Sequence, residues 1–275
     1  MLKRTLTALA IAAVGLPAVI YGGVFYFLIM GAFLVGGAWE YVRLYRAVKL
    51  EPSEPVTVGG VLVILTARFF FADLAIPVFV ALALLAMAVH LFAFERGRDH
   101  AAIDFGVTVA GIVYLGWIGA YLLDLRNLIS AEMGVWWFLL VLPLVWAADT
   151  GGYSIGAAYG KHKMAPRLSP RKSWEGYFAG IFTSVLIGAF FAYAFSSLGP
   201  QPLGGVINPM QGALLGLVIG TLAPLGDLGE SMFKRQSGVK DSSNIFPGHG
   251  GFLDRIDSWI WGAAIGYFLI QYFIL

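Results

Sequence analysis

The 275-residue sequence contains no cysteine, which excludes disulfide bonds, thiolate metal sites and cysteine nucleophiles. It also has few charged residues: 12% of the chain, against roughly a quarter in a soluble domain. A soluble globular protein is therefore excluded. The net charge of +2 is too small to create an overall field for nucleic acid or an acidic partner, so we expect no nucleic-acid partner.

Apolar residues, in contrast, make up 59% of the chain. Since a helix needs about 20 apolar residues to cross a bilayer, the sequence predicts an all-α, polytopic integral membrane protein with nine transmembrane helices. The uncharged stretch 5–39 predicts two of them, separated by a turn at Gly22-Gly23. The other seven are predicted at 55–71, 74–94, 103–123, 134–157, 177–198, 208–231 and 258–275.

We interpret the chain as a single transmembrane domain. It comprises N-terminal helices in 1–130 and a helical bundle in 131–275 with cytoplasmic loops at 161–175 and 232–256. Basic loops stay on the cytoplasmic side, and 16 of the 18 Lys and Arg residues fall at one set of alternating helix ends, the exceptions being Arg68 and Arg126. This distribution predicts a cytoplasmic N-terminus and a C-terminus outside.

Glycines spaced four apart occur in several of the C-terminal segments. Such ridges let helix backbones approach closely in a bilayer, and packing within one chain explains them better than a dimer face. They predict a tightly packed C-terminal bundle. The ridges are Gly152, Gly156 and Gly160; Gly176 and Gly180; Gly212, Gly216 and Gly220; and Gly262 and Gly266.

The first polar cluster begins at Asp149 and continues into a basic loop with one histidine and no acid. The basic residues of this loop are Lys161, Lys163, Arg167, Arg171 and Lys172. Such a loop serves either as a topology anchor on anionic lipid, at about 1 kcal/mol per charge, or as a phosphate-binding segment. The hydroxyls and prolines of this loop favour phosphate binding at least as much as the role of a topology anchor.

The second polar cluster contains two pairs of carboxylates, each with a spacing of three residues that puts both on one helix face. They are Asp227 with Glu230, and Asp254 with Asp257. A carboxylate costs about 2.5–3.5 kcal/mol at mid-bilayer, so paired acids imply a cation, and carboxylate oxygens suit Mg²⁺. The alternative for each single acid is an ion pair, of Asp227 with Lys234 or Arg235 and of Asp254 with Arg255. His249 is a turn residue or a phosphate hydrogen-bond donor.

Two stretches carry a more specific pattern. The first has Trp146-x-x-Asp149-Thr150 at a helix end, then Gly160-Lys161, and then the run from Ser169 to Gly176. The second matches at Ser231, Phe233, Lys234, Arg235, Lys240, Asp241, Ser243, Phe246, Pro247, His249, Gly250, Gly251, Phe252, Asp254, Arg255, Ile256 and Asp257. Together they resemble the phosphatidate cytidylyltransferases, or CDP-diacylglycerol synthases. The resemblance is specific over 146–260 and general before it.

The sequence departs from this family pattern at four positions. Arg171 and Ser173 stand where Lys and Thr are common, which keeps the charge and the hydroxyl. Gly229 stands where a bulky residue is usual, and Gly152 where Ala is usual. Every side chain that the family pattern provides as a ligand is retained.

The resemblance implies an enzyme of phospholipid biosynthesis in the bacterial inner membrane, with its active site facing the cytoplasm. It implies CTP and phosphatidate as substrates, Mg²⁺ with a second, monovalent cation such as K⁺, and a homodimer. Asp227 and Asp254 would be the principal metal ligands, with Asp149, Glu230, Asp257 and Asp241 in support. Catalytic roles would fall to Asp227, Asp254, Lys234, Arg235, Lys240, His249 and Arg255. Substrate binding would fall to Lys161, Lys163, Arg167, Ser169, Arg171, Lys172, Ser173, Ser231 and Asp241.

Four other interpretations compete with this one. An ion-coupled transporter would use intramembrane acids, but the polar residues here gather at one membrane face. A structural scaffold leaves the acids and bases unexplained, and the Asp-Gly-x2-Ala-Arg-x8-Gly-x3-Asp-x3-Asp pattern of CDP-alcohol phosphotransferases is absent. A relative that acts on another lipid phosphate or alcohol stays open.

Overall fold

The computed structural model describes residues 2–198, 206–246, 248 and 250–275. Side chains are described from Ile11 onward, except that of Leu198. His249 and Pro247 lie outside the described residues. The helices are α1 Leu2–Tyr21, α2 Gly23–Ala47, α3 Glu54–Phe70, α4 Ala75–Glu95, α5 Ala101–Gly111, α6 Tyr121–Arg126, α7 Ala131–Tyr159, α8 Trp174–Leu198, α9 Pro209–Leu222, α10 Pro224–Gln236 and α11 Leu253–Leu269. A 3₁₀ turn (Ala72–Leu74) and π-helical segments (Ile112–Ile118, Ile270–Ile274) extend α4, α5 and α11.

The helical fold is confirmed, and each predicted span overlaps one or two helices. Among the described residues, six helical segments are long and apolar enough to cross a membrane: Gly23–Ala47, Ala72–Glu95, Ala101–Arg126, Ala131–Tyr159, Trp174–Ser197 and Pro209–Gln236. The count of nine spans and the sides of the termini stay predictions.

Local sequence signals explain several of the helix ends. The turn predicted at Gly22-Gly23 is present, because Gly22 adopts φ 66° and ψ −149°, a conformation that only glycine adopts easily. Helix α9 begins with a capping box in which Asn208 and Gln211 each accept a hydrogen bond from the other's backbone amide. Pro224 opens α10 at a position where a missing amide proton costs no helical hydrogen bond.

The chain divides into two compact units, which we describe separately. The first comprises the residues up to Leu123 together with Met232–Ile256. In it, Val56, Ile64 and Ile112 pack in a buried apolar core between α3 and the end of α5. The predicted division into 1–130 and 131–275 was drawn along the sequence and stays a prediction.

The second unit comprises Asp124–Ser231 and Asp257–Leu275. Here α7, α8 and α9 pack through the glycine ridges, and the predicted close packing is confirmed. A Cβ atom on Gly176 would lie 2.6 Å from the carbonyl oxygen of Gly152, and one on Gly180 would lie 2.5 Å from that of Ala148. Since real Cβ atoms essentially never come within 3.0 Å of another atom, these crossings require glycine.

Between α7 and α8, the predicted basic loop forms an antiparallel hairpin, with β1 at Lys163–Ala165 and β2 at Ser169–Ser173. Lys163 pairs with Ser173 at its base. The hairpin is an addition to the predicted all-helical architecture, and its second strand leads directly into α8. Its basic residues are therefore held by a defined backbone.

Candidate active site

An acidic cluster in the second unit contains Asp227, Glu230 and Asp257. One carboxylate oxygen from each lies within 4.8 Å of the others, as ligands of a single metal ion require. Asp227 and Glu230 share one face of α10, while Asp257 belongs to α11. Glu230 is only 1% exposed. Three hard oxygen donors, one of them buried, form a donor set suited to a divalent cation such as Mg²⁺.

A glycine at the start of α10 permits this clustering. A Cβ atom on Gly226 would lie 2.5 Å from the carbonyl oxygen of Asp257 and 2.7 Å from the ring of Trp261. Only a residue without a side chain therefore lets the first turn of α10 approach α11 this closely. Because Asp227 follows directly, the same glycine sets the distance between the acids of the two helices.

The basic hairpin contributes Lys172 to the acidic cluster. Its ammonium nitrogen lies 2.7 Å from Oδ2 of Asp227, and both side chains are partly exposed. The hydroxyl of Ser231 lies 3.4 Å from the other oxygen of Asp227. Of the two interpretations of the basic loop, this contact favours the one in which the loop belongs to a site. Asp227 pairs with the hairpin, whereas the sequence offered Lys234 or Arg235 as its alternative ion-pair partners.

The base of the hairpin is fixed by Glu175. Its carboxylate accepts hydrogen bonds from the amide of His162 at 3.2 Å and contacts Nδ1 of the same residue at 2.6 Å. Ser173, predicted to bind substrate, is 3% exposed, and its hydroxyl accepts a hydrogen bond from the Gly176 amide at the start of α8. This hydroxyl therefore also caps a helix.

A second polar cluster, in the first unit, is centred on Asp254. The ammonium of Lys234 donates to Oδ1 at 2.6 Å, and the amides of Gly251 and Ser242 donate to Oδ2 at 2.8 and 2.9 Å. The hydroxyl of Ser242 also lies 2.5 Å from Oδ2. Burial alone would raise the pKa of Asp254, but the amide, ammonium and hydroxyl donors lower it to about 2. Asp254 is thus a carboxylate at any working pH.

The carboxylate of Glu40, on α2, lies in the same cluster and is fully buried. It accepts hydrogen bonds from the hydroxyl of Ser243 and from the amides of Phe252 and Leu253, and its Oε2 lies 2.9 Å from the Ser242 hydroxyl. Glu40 is a residue that no motif or spacing in the sequence marks as functional. The available signal was that Glu40 is the first charge after 35 uncharged residues, in a helix otherwise apolar up to that point.

The structure therefore distributes the predicted acids between two clusters. Asp227, Glu230 and Asp257 come together, whereas Asp254 pairs with Lys234; the alternative partner considered for it was Arg255. Asp149 is exposed on α7. Arg235 donates to the carbonyl oxygen of Val239 at 3.1 Å and, like Lys240 and Asp241, is exposed. Also exposed are Lys161, Lys163, Arg167 and Arg171, while Ser169 and Arg255 are partly buried.

Comparison with known proteins adds an independent observation. A family model described as "Cytidylyltransferase family" matches residues 2–273. Phosphatidate cytidylyltransferase of Pseudomonas aeruginosa is 36% identical over 264 residues, which cover 94% of this chain and 93% of the relative. The Bacillus subtilis protein of that name is 31% identical, with 99% and 98% covered. The Haemophilus influenzae one is 46% identical over 142 residues, 52% of this chain and 47% of the relative.

Proposed function

This chain belongs to the cytidylyltransferase family, and we propose that it transfers CMP from CTP to phosphatidate, giving CDP-diacylglycerol and pyrophosphate. The observation that carries the proposal is the match over residues 2–273, together with relatives named for this activity that align over nearly the whole chain. The chain is an integral membrane protein, which gives it direct access to a lipid substrate in the bilayer.

In the proposed reaction, a phosphate oxygen of phosphatidate attacks the α-phosphorus of CTP. A new phosphoanhydride bond forms, and the bond from the α-phosphorus to the bridging oxygen breaks, so that pyrophosphate leaves with its electron pair. No protein nucleophile is needed, in keeping with the absence of cysteine. Because phosphatidate is already ionised near neutral pH, catalysis rests on positioning and charge neutralisation.

We assign the acidic cluster of Asp227, Glu230 and Asp257 as the site of Mg²⁺. Its support is the donor set itself: three carboxylate oxygens within 4.8 Å, on two helices held together at Gly226. When bound there, Mg²⁺ would neutralise phosphate oxygens of the nucleotide. Asp254 as a further principal ligand, and a second cation such as K⁺, stay predictions from the resemblance.

The cationic side chains have separable tasks in this proposal. Lys172 balances the charge of Asp227 and is the hairpin residue best situated to meet a phosphate that approaches the acidic cluster. Lys234 is oriented by its ion pair with Asp254, which fixes the position of its positive charge. Exposed residues such as Lys163 and Arg167 would attract CTP and the lipid headgroup electrostatically.

The test of the function is turnover by the purified protein in detergent or liposomes. Labelled CTP, phosphatidate and Mg²⁺ should give CDP-lipid and pyrophosphate in equal amounts, and EDTA should abolish both. Parallel reactions with diacylglycerol and with other lipid phosphates test the open alternative that another acceptor is used. Folded protein that releases no pyrophosphate in response to phosphatidate would refute the assignment.

The metal assignment has its own test, independent of turnover. Mn²⁺ serves as a paramagnetic substitute for Mg²⁺, and its binding to the full-length protein is measured by electron paramagnetic resonance. Asp227→Asn and Asp257→Asn should each weaken binding about tenfold or more, since each removes a charged ligand. Unchanged affinity in either variant removes that residue from the ligand set. Asp254→Asn shows whether Asp254 is a ligand.

We further propose that the chain lies in the bacterial inner membrane with both polar clusters on the cytoplasmic side, and that it forms a homodimer. The support is the bias of Lys and Arg described above and the resemblance to the family. Because the chain has no cysteine, single cysteines can be introduced without background. Lys240→Cys should react with a membrane-impermeant maleimide only in inside-out vesicles, and Asn127→Cys, at an exposed position next to Arg126, only in right-side-out ones. Native mass spectrometry tests the dimer.

A further inference from the structure

The buried carboxylate of Glu40 is fully engaged by a segment more than 200 residues further along the chain. Its Oε1 accepts from the Ser243 hydroxyl at 2.6 Å and the Phe252 amide at 3.0 Å. Its Oε2 accepts from the Leu253 amide at 2.8 Å and lies 2.9 Å from the Ser242 hydroxyl. Three donors around one carboxylate, with the Ser242 hydroxyl in contact as well, are enough to stabilise a buried charge.

Two of these donors are backbone amides at the start of α11. The first amides of a helix have no partner within the helix, and its N-terminus carries partial positive charge. Glu40 therefore supplies from α2 the acceptor that a capping residue would normally supply locally. It fixes the position from which α11, and with it Asp254, begins.

Aromatic packing attaches the same segment to the same face of α2. Phe33, two helical turns before Glu40, stacks on Phe246 at 5.7 Å between ring centroids and meets the edge of Phe252 at 5.4 Å. We call residues 242–246 and 250–253 the docking loop. Charge and apolar contacts thus hold both ends of the docking loop on α2.

The docking loop connects Glu40 to the ion pair of Lys234 and Asp254. The hydroxyl of Ser242 lies between the two carboxylates, 2.9 Å from Glu40 and 2.5 Å from Asp254. Gly251 donates its amide to Asp254, and a Cβ atom there would collide with the Glu40 carboxylate. Moving Glu40 would therefore displace two of the three residues that donate to Asp254.

We propose that Glu40 is a positioning residue, which holds the docking loop on α2 and thereby orients Asp254 and its partner Lys234 for the reaction. The inference rests on the proposed function only for its effect on turnover. The effect on the docking loop itself follows from the hydrogen bonds alone.

The principal test is Glu40→Gln, which keeps the size of the side chain and removes its charge. Only the oxygen of the new amide group accepts hydrogen bonds, because its NH2 group is a donor. At least one docking-loop donor therefore loses its acceptor. We expect kcat/KM to fall about tenfold to a hundredfold. Amide hydrogen exchange, followed by mass spectrometry on the full chain, should accelerate in the docking loop and not in the rest of the first unit.

A double-mutant cycle distinguishes positioning from general damage. If Glu40 acts through Ser242, the Ser242→Ala substitution should add less than about twofold to the effect of Glu40→Gln. If the two substitutions act independently of each other, their effects multiply. The matched control is Glu54→Gln, in the same unit, because Glu54 is partly exposed and pairs with Arg46 away from the docking loop. The turnover of this variant and the hydrogen exchange of its docking loop should match those of the wild type.

Three outcomes would overturn the proposal: near-wild-type kcat/KM in Glu40→Gln, multiplicative effects in the cycle, or exchange that accelerates throughout the first unit. Should Glu40→Gln fail to fold, Ser243→Ala, which removes a donor to Glu40, decides, with wild-type turnover and exchange counting against the proposal. If the wild-type protein itself lacks lipid-dependent turnover, the proposed function fails. The exchange measurement then still tests the docking loop.

Discussion

Replacing Gly226 by Ala is the most direct perturbation of the acidic cluster that leaves every acid in place. The new Cβ atom would stand 2.5 Å from the carbonyl oxygen of Asp257, whereas ordinary van der Waals contact begins at 3.4 Å. The obstacle is backbone, which cannot rotate away as a side chain could. The first turn of α10 must therefore move from α11 by about 0.9 Å, and Asp227 moves with it.

A displacement of this size has a calculable effect on turnover. A reacting group misplaced by about 1 Å loses about a hundredfold in rate, so we expect kcat/KM for CTP to fall by about that factor. The Mg²⁺ concentration for half-maximal rate should rise, since the three oxygens no longer fit one ion. Helix propensity favours Ala by about 1 kcal/mol, which offsets part of the strain, so the protein should still fold.

The matched control is Gly229→Ala, one turn further along the same helix. No atom lies within 4 Å of a Cβ atom built there, so the substitution gains helix propensity without a clash. We expect unchanged kinetics and a free energy of unfolding higher by up to about 1 kcal/mol. Turnover and Mg²⁺ dependence of Gly226→Ala close to those of Gly229→Ala would refute the reasoning.

Two further predictions concern single side chains. Lys172→Met removes the ammonium that lies 2.7 Å from Asp227. We expect the KM for CTP to rise about tenfold, because one charge-assisted contact with a substrate phosphate is lost. An unchanged KM in steady-state assays would return the hairpin to a purely topological role. Asp104→Asn weakens the 2.7 Å bond from Arg98 to a fully buried carboxylate, and we expect the free energy of unfolding to fall by about 1–3 kcal/mol in denaturant titrations. An unaltered unfolding curve would contradict this.

Much of the fold was predictable because hydropathy and helix signals are local. The break at Gly22 and the capping box at Asn208 involve residues at most three positions apart. The basic loop was recognised as a segment, but its hairpin was not, since pairing of Lys163 with Ser173 depends on the turn between them. Such short strands carry too little alternation to be read from sequence.

The types of residue in the candidate site were predictable from the sequence, but the partners of each side chain were predictable only in part. The spacing of three correctly put Asp227 and Glu230 on one face of α10. The same rule joined Asp254 to Asp257, yet the former engages Lys234 and the latter the acids of α10. Partners on other helices are set by packing, which no spacing rule contains. Glu40 was missed for the same reason, because its partners lie 202 to 213 residues away.

That separation has a consequence for how the protein is made. A ribosome adds about 5–20 residues each second, so the last partner of Glu40 emerges roughly 10–40 s after Glu40 itself. During this interval a nascent second helix must carry an acidic group for which the partners in the folded structure do not yet exist. Chains that stop before the docking loop would keep that group unsatisfied. The buried charge of Glu40 is therefore satisfied only by a chain that has been synthesised through the docking loop.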